Sequence, residues 1–131
     1  IPQFYYGGEI GMTGTTSPND GYVRQDFLGG WKEDKLNKFT RTGRSVTENE
    51  IWDHVSTLAN FRKSSSALTM GKMMQFVPQD GVYVYFRYDD KRFTERTAGF
   101  SNMKNILTGT VTGLNDFQLE SYGSAVFELL K

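Results

Sequence analysis

The sequence predicts an α+β fold that is mostly β, and three observations carry that prediction. An apolar stripe at helical spacing runs through Ile51, Val55, Leu58, Ala59 and Arg62. Strict alternation follows in "VYVYFRY", where Val82, Val84, Phe86 and Tyr88 face one way and Tyr83, Tyr85 and Arg87 the other. Fourteen glycines in 131 residues exceed the usual share of about 7% and imply many turns.

Residues 1–6, in "IPQFYYGGEI", read as a buried strand: Ile1, Phe4 and Tyr5 are apolar or aromatic, and Gly7-Gly8 then turns the backbone. Such a start lies in the middle of a core. Residues 11–45 are different. They are rich in glycine, serine, threonine, asparagine and charge, with no sustained period of 2 or 3.6. An irregular segment of that length is uncommon in a compact domain and is usually functional or disordered. It is the first place to look for a site.

Helix signals begin at "TENE", where Thr47 and Glu50 are spaced as a capping box, each side chain able to satisfy the other's free N–H. The stripe ends in the basic turn "FRK", which suits the negative end of the helix dipole. His54 lies off the stripe and reads as a surface residue. Beyond "SSSALTMGK" the chain turns to β structure. "MMQFV" and "VYVYFRY" form a hairpin around the turn "PQDG", with Pro78 and Gly81 as the turn residues. Further short strands are expected near "KNILTG", "TVTGL", "DFQLE" and "SAVFELL". Strands so spaced predict a small antiparallel β-sandwich. The domain division is 1–68 and 69–131.

Composition excludes several function classes. Fifteen basic and fifteen acidic residues balance, against the basic excess of a nucleic-acid binder. Without cysteine there is no disulfide, thiolate metal site or cysteine nucleophile, and His54 as the only histidine excludes a histidine-rich metal site. No metal and no cofactor is expected. No apolar run approaches the roughly 20 residues that cross a bilayer, so no membrane partner is expected. Aromatics make up 15% of the chain, seven of them tyrosines. A flat face with a polar edge suits a sugar ring, and β-rich cores favour the same residues.

The opening "IPQFYYGGEI" resembles the eighth and last barrel strand of the α-amylase family of glycoside hydrolases. In that family a helix ending like "FRK" follows, and then a β-sandwich. The same order runs through this chain: strand, long loop, "NEIWDHVSTLANFRKSSSAL", the hairpin "MMQFVPQDGVYVYFRY" and the strand "YGSAVFELL". "RQDFLGGW" and "VPQDGVYVYFRYDD" are more particularly similar to the cyclomaltodextrinase and neopullulanase branch. The resemblance implies that 1–68 is the terminal strand, loop and final helix of a truncated (β/α)8 barrel, and 69–131 the C-terminal sandwich. It implies a parent that hydrolyses α-1,4/α-1,6-glucans, with maltooligosaccharides as partners, and it leans towards the bacterial periplasm.

A retaining glycosidase needs two carboxyl groups about 5–5.5 Å apart. In the family they come from barrel strands four and five, with a third aspartate after strand seven, and none has a counterpart here. No catalytic residue is assigned, and the fragment alone is expected to be inactive. Barrel enzymes build their sites from loops at the C-terminal ends of the strands, so the resemblance makes residues 7–45 a substrate-bordering loop. On it, Arg24 and Asp26 can clamp sugar hydroxyls, and Trp31, Phe27 or Tyr22 can stack on a glucose ring; Arg24, Asp26 and Trp31 are the substrate-binding candidates. The alternatives are a local Arg24–Asp26 ion pair and a Trp31 that merely anchors the loop. Tyr6 and Glu9 read as barrel-end scaffold, and the tyrosines of "VYVYFRY" as packing residues.

One departure stands out. "RYDDKRFTERTAGF" runs straight on where family members insert a further strand and turn. Either a strand is deleted, which exposes pairing edges and favours self-association, or the chain as numbered skips it and the sandwich is intact. Two other functions compete with the hydrolase fragment: an autonomous carbohydrate-binding module, and a structural remnant that associates through exposed apolar surface.

Overall fold

The structure, a computed structural model, describes residues 3–89, 99–120 and 123–131. It divides into two compact units, Ile1–Ser56 and Thr57–Lys131. Each is described by itself.

The first unit is mostly irregular. Three short 3-10 turns, Gly8–Ile10, Asp20–Val23 and Arg41–Gly43, punctuate it before helix α1 (Val46–Ser64) begins. The expected strand does not form over the described part of 1–6: residues 3–5 join no ladder, and Phe4 and Tyr5 are exposed. A strand is held by pairing and by burial of one face, and here residues 3–5 have neither. The Gly7-Gly8 turn does form. Gly7 sits at φ 82, and Met12 Sδ occupies the space that a Cβ there would need. The turn delivers Ile10, which is only 1% exposed and is the enclosed apolar centre of this unit. Ile51 from α1 closes over the adjacent Gly11.

Helix α1 is 19 residues long, and none of them is fully buried. Ile51, Val55, Leu58 and Arg62 of the stripe are half-buried, Ala59 is exposed, and His54 is exposed as expected. The cap differs from the expected one. The box is Ser45 with Glu48: Glu48 N–H donates to Ser45 Oγ at 3.2 Å, and Ser45 N–H donates to Glu48 Oε2 at 2.7 Å. Both "SVTE" and "TENE" carry the spacing. Glu48 has Lys38 as a further partner, and that contact favours the earlier register.

In the second unit α1 is followed by a single helical turn, α2 (Ser66–Thr69). Its carbonyl end is closed by two guanidinium groups. Arg62 and Arg87 both donate to Leu68 O, and Arg87 also reaches Gly71 O at 2.8 Å. Arg62 therefore serves the next helical turn as well as its own dipole.

Strands β1 (Lys72–Gln75) and β2 (Tyr85–Tyr88) pair antiparallel, Lys72 opposite Tyr88 and Gln75 opposite Tyr85. The turn sits one residue later than "PQDG" implies. Gln79 and Val82 bridge, with Asp80 at φ 50 and Gly81 at φ 78 between them. Positive φ at both central positions is the two-residue hairpin turn whose twist matches the strands. Phe76 N–H donates to Val84 O at 3.1 Å. Between that bond and the Gln79–Val82 bridge, Val77 and Pro78 oppose Tyr83 alone, so the strand carries a bulge. Pro78 has no N–H to give a ladder and belongs at such a place.

Strands β3 (Asn102–Asn105), β4 (Val111–Gly113) and β5 (Phe127–Leu130) form a second antiparallel sheet in the order β4-β3-β5. Met103, on the central strand, is 6% exposed and is the buried apolar residue among the described residues of this unit. β3 ends two residues into "KNILTG" because Asn105 Oδ1 accepts the N–H groups of Leu107 and Thr108 and turns the chain. "DFQLE" is not a strand. Asp116 N–H closes a turn on Gly113 O, and Phe117 instead packs edge-on against Phe127 at 4.6 Å. The expected sandwich is thus two small sheets, of two and three strands, with no ladder joining them among the described residues. The expected departure after Asp90 falls on residues 90–98, outside the described residues.

Candidate functional site

The irregular segment of the first unit is held by the polar face of α1. Arg41 Nη1 lies 3.0 Å from both carboxylate oxygens of Asp53. Asn49 Nδ2 donates to Arg41 O at 3.0 Å, and Asn49 Oδ1 accepts from Arg44 Nε at 2.9 Å. The Arg44 guanidinium lies 4.3 Å over the Trp52 ring, within cation–π reach. Arg44 also donates to Lys38 O at 2.9 Å, while Lys38 Nζ reaches Glu48 at 2.5 Å. Glu48, Asn49, Trp52 and Asp53 thus grip residues 38–44 through successive positions of one helix. Sequence reasoning missed this set. Its only signal was the polar half of α1 opposite the apolar stripe.

Lys38 and Glu48 of this framework border an open cleft of about 280 Å³, also lined by Ile10 to Thr13, Gln25, Asp26 and Leu28. Ile10 is buried and Asp26 exposed; the paired Lys38 and Glu48 are largely covered. Tyr6 fixes the Gln25 side of the wall, its hydroxyl donating to Gln25 O at 3.0 Å. Partial desolvation, then the adjacent Tyr5 and Asp26, push the Tyr6 phenol above its ordinary value. Lys38, followed by the Ser45 N–H, holds the Glu48 carboxyl below its own. The cleft thus presents one exposed carboxylate, an amide, a hydroxyl and a neutralised ion pair. Such a lining can hydrogen-bond a neutral polyhydroxylated molecule.

Of the candidates from the sequence, the structure brings only Asp26 to this cleft. Arg24 pairs with Asp20 at 3.6 Å on the exposed surface, so the alternative of an Arg24–Asp26 ion pair does not hold. The cause is the 3-10 turn Asp20–Val23, which stacks Arg24 one turn beyond Asp20. Trp31 lies outside the cleft lining and is 64% exposed. Its segment is anchored by the backbone rather than the indole: Asp34 Oδ2 accepts from Gly29 N at 2.7 Å and from Trp31 N at 3.0 Å. Those bonds, Gly29 first, hold the Asp34 carboxyl below its ordinary value. Phe27 packs on Phe39 at 4.6 Å, whereas Tyr22 is exposed. Among the described residues no cluster of histidine, cysteine, aspartate and glutamate is arranged to hold a metal.

The hairpin of the second unit has a counterpart among known families. Residues 73–92 match the family model described as the cyclo-malto-dextrinase C-terminal domain. The matched segment takes in most of β1, the Asp80-Gly81 turn and all of β2. The match supports an α-amylase-family C-terminal domain in the β-rich part of this chain.

Proposed function

We propose that this chain is the C-terminal portion of a retaining α-glucan hydrolase of the cyclomaltodextrinase and neopullulanase branch. In this reading residues 1–68 contribute the last barrel strand, its loop and the final helix, and residues 69–131 the C-terminal β domain. The chain supports the barrel and lends it one substrate-bordering loop, and the bond-breaking carboxylates belong to the rest of the enzyme. The hairpin match over residues 73–92 carries the reading. The stripe of α1 supports it, because Val55 and Leu58 are only half-buried and leave apolar surface that further protein would cover. The cleft beside Asp26 supports the loop's role, because its polar lining can hydrogen-bond hydroxyl groups.

The test has two arms. The reading frame upstream of Ile1 is expected to encode barrel strands bearing the aspartate and glutamate pair, and a frame without them overturns the proposal. The chain alone, incubated with maltooligosaccharides, cyclodextrins and pullulan, is expected to release no reducing sugar. Hydrolysis by the purified chain would show that the chemistry lies within it.

A further inference from the structure

The β1–β2 hairpin has two unlike faces. Strand alternation and the register put Met74, Phe76, Phe86 and Tyr88 at the centre of one side, with exposed Lys72 and Val84 at its edges; the central residues are the ones that pack. These residues are half-buried, and Phe76 and Phe86 pack edge-to-face at 6.0 Å. This is the packing face. The other side carries Met73, Gln75, Tyr83, Tyr85 and Arg87; the first four are exposed, while Arg87 is half-buried with its guanidinium on the carbonyls of Ala67, Leu68 and Gly71. Tyr83 and Tyr85 are 51% and 52% exposed, with centroids 5.9 Å apart and ring planes only 31° from parallel. Tyr83 Oη donates to Gln75 Oε1 at 2.9 Å, which fixes one phenol and directs that amide's oxygen inward. Among the described residues the Gln75 NH2 group has no acceptor, and its donors face outward for a ligand.

We propose that Tyr83, Tyr85 and Gln75 form a carbohydrate-binding platform with a neutral glucan as its ligand. Two exposed rings of similar tilt offer adjoining flat faces for the C–H faces of successive sugar rings. The phenol and amide edges supply hydrogen bonds to hydroxyl groups. The exposed members Met73, Gln75, Tyr83 and Tyr85 carry no formal charge, and the one cation of this face, Arg87, is engaged by backbone carbonyls, which suits an uncharged sugar rather than a phosphate-bearing or acidic polymer. The apolar packing of the hairpin is already provided by its Phe76–Phe86 side. The choice of an α-glucan among neutral sugars rests on the function proposed above; the platform itself does not.

Affinity electrophoresis of the full chain through gels containing amylose, dextran sulfate or no polysaccharide tests this. Amylose is expected to retard the chain, and Tyr83→Ala/Tyr85→Ala to weaken that retardation roughly tenfold. A larger loss of retardation in Asp26→Asn than in Tyr83→Ala/Tyr85→Ala would assign the binding to the cleft and overturn the platform. Absence of retardation, equal retardation of the double variant with its far-UV CD intact, or preference for dextran sulfate would each overturn the platform. Should the double variant unfold, Gln75→Ala, which keeps both rings, is expected to weaken retardation about threefold; no change in it counts against the proposal. Retardation by amylose together with an upstream frame that encodes no barrel would retain the platform and reject the hydrolase reading.

Discussion

Lys38 Nζ and Ser45 N–H meet the same oxygen, Oε2 of Glu48, at 2.5 and 2.7 Å. One carboxylate therefore caps α1 and pins the wall of the Asp26 cleft. The start of the helix and the shape of the cleft are tied to a single protonation state.

Acid should loosen the first unit through Glu48. Its carboxyl is held below the ordinary 4.5, by Lys38 first and then by the Ser45 N–H. A carboxylate with a depressed folded-state pKa contributes stability that is fully present above the unfolded value and is lost as pH falls through the folded one. The contribution is thus whole at pH 7 and declines below about pH 4.5. Glu48→Gln keeps a capping side chain but loses the ion pair. Urea unfolding at pH 7 should show it destabilised by about 1 kcal/mol, and the difference from the native chain should shrink towards pH 3. A constant difference across that range would assign the effect to packing instead.

The hairpin turn gives a sharper prediction. Asp80 and Gly81 both hold positive φ, at 50° and 78°. No atom lies near a Cβ placed on Gly81, so any penalty for adding one comes from backbone conformation alone. Gly81→Ala should destabilise by roughly 1–2 kcal/mol. Asp80→Asn should be close to neutral, because asparagine tolerates the same region. Hydrogen exchange at the Phe76 and Val82 amides reports the hairpin directly, and faster exchange is expected in the alanine variant only.

How much of this was legible in the sequence depends on which forces are local. The β1–β2 hairpin could be read because "DG" sets its own dihedral angles and the flanking alternation sets the faces. Helix α1 could be read from its stripe. Its cap was misplaced because two boxes overlap in "SVTENE", and Lys38, ten residues upstream of Glu48, favours one of them. Strand 1–6 failed where its described part could be seen: apolar content makes a strand only when a neighbour offers a ladder. "DFQLE" failed because Phe117 is used by its ring against Phe127 and not by its backbone. At the cleft, Asp26 was legible as part of an irregular polar loop. Lys38 and Glu48 were not, since neither stands out until α1 brings them together.

Arg87 should matter more than its position on a short strand implies. Its guanidinium spans the carbonyls of Ala67, Leu68 and Gly71, at 3.4, 3.3 and 2.8 Å. A lysine has one ammonium and cannot cover three oxygens in that fan. Arg87→Lys should lower stability by about 1–2 kcal/mol, measured by thermal or urea denaturation. Because Arg62 shares Leu68 O, a double-mutant cycle with Arg62→Lys should show coupling rather than additivity. Additive losses would mean that each arginine acts alone.

The two tryptophans separate the loop from the helix by fluorescence. Trp31 is largely exposed, whereas Trp52 is half-buried beneath the Arg44 guanidinium. Acrylamide quenching should therefore show two populations, and Trp31→Phe should remove the accessible one. If the irregular loop borders an α-glucan, saturating maltoheptaose should shield Trp31 and flatten the steep component of the quenching curve. Asp26→Asn should reduce that shielding, because the cleft loses its exposed carboxylate acceptor while the Asp34 contacts that anchor residues 29–31 stay in place. Quenching of Trp31 that is indifferent to maltoheptaose in the chain joined to its barrel would remove Trp31 from the substrate surface and leave it an exposed loop residue.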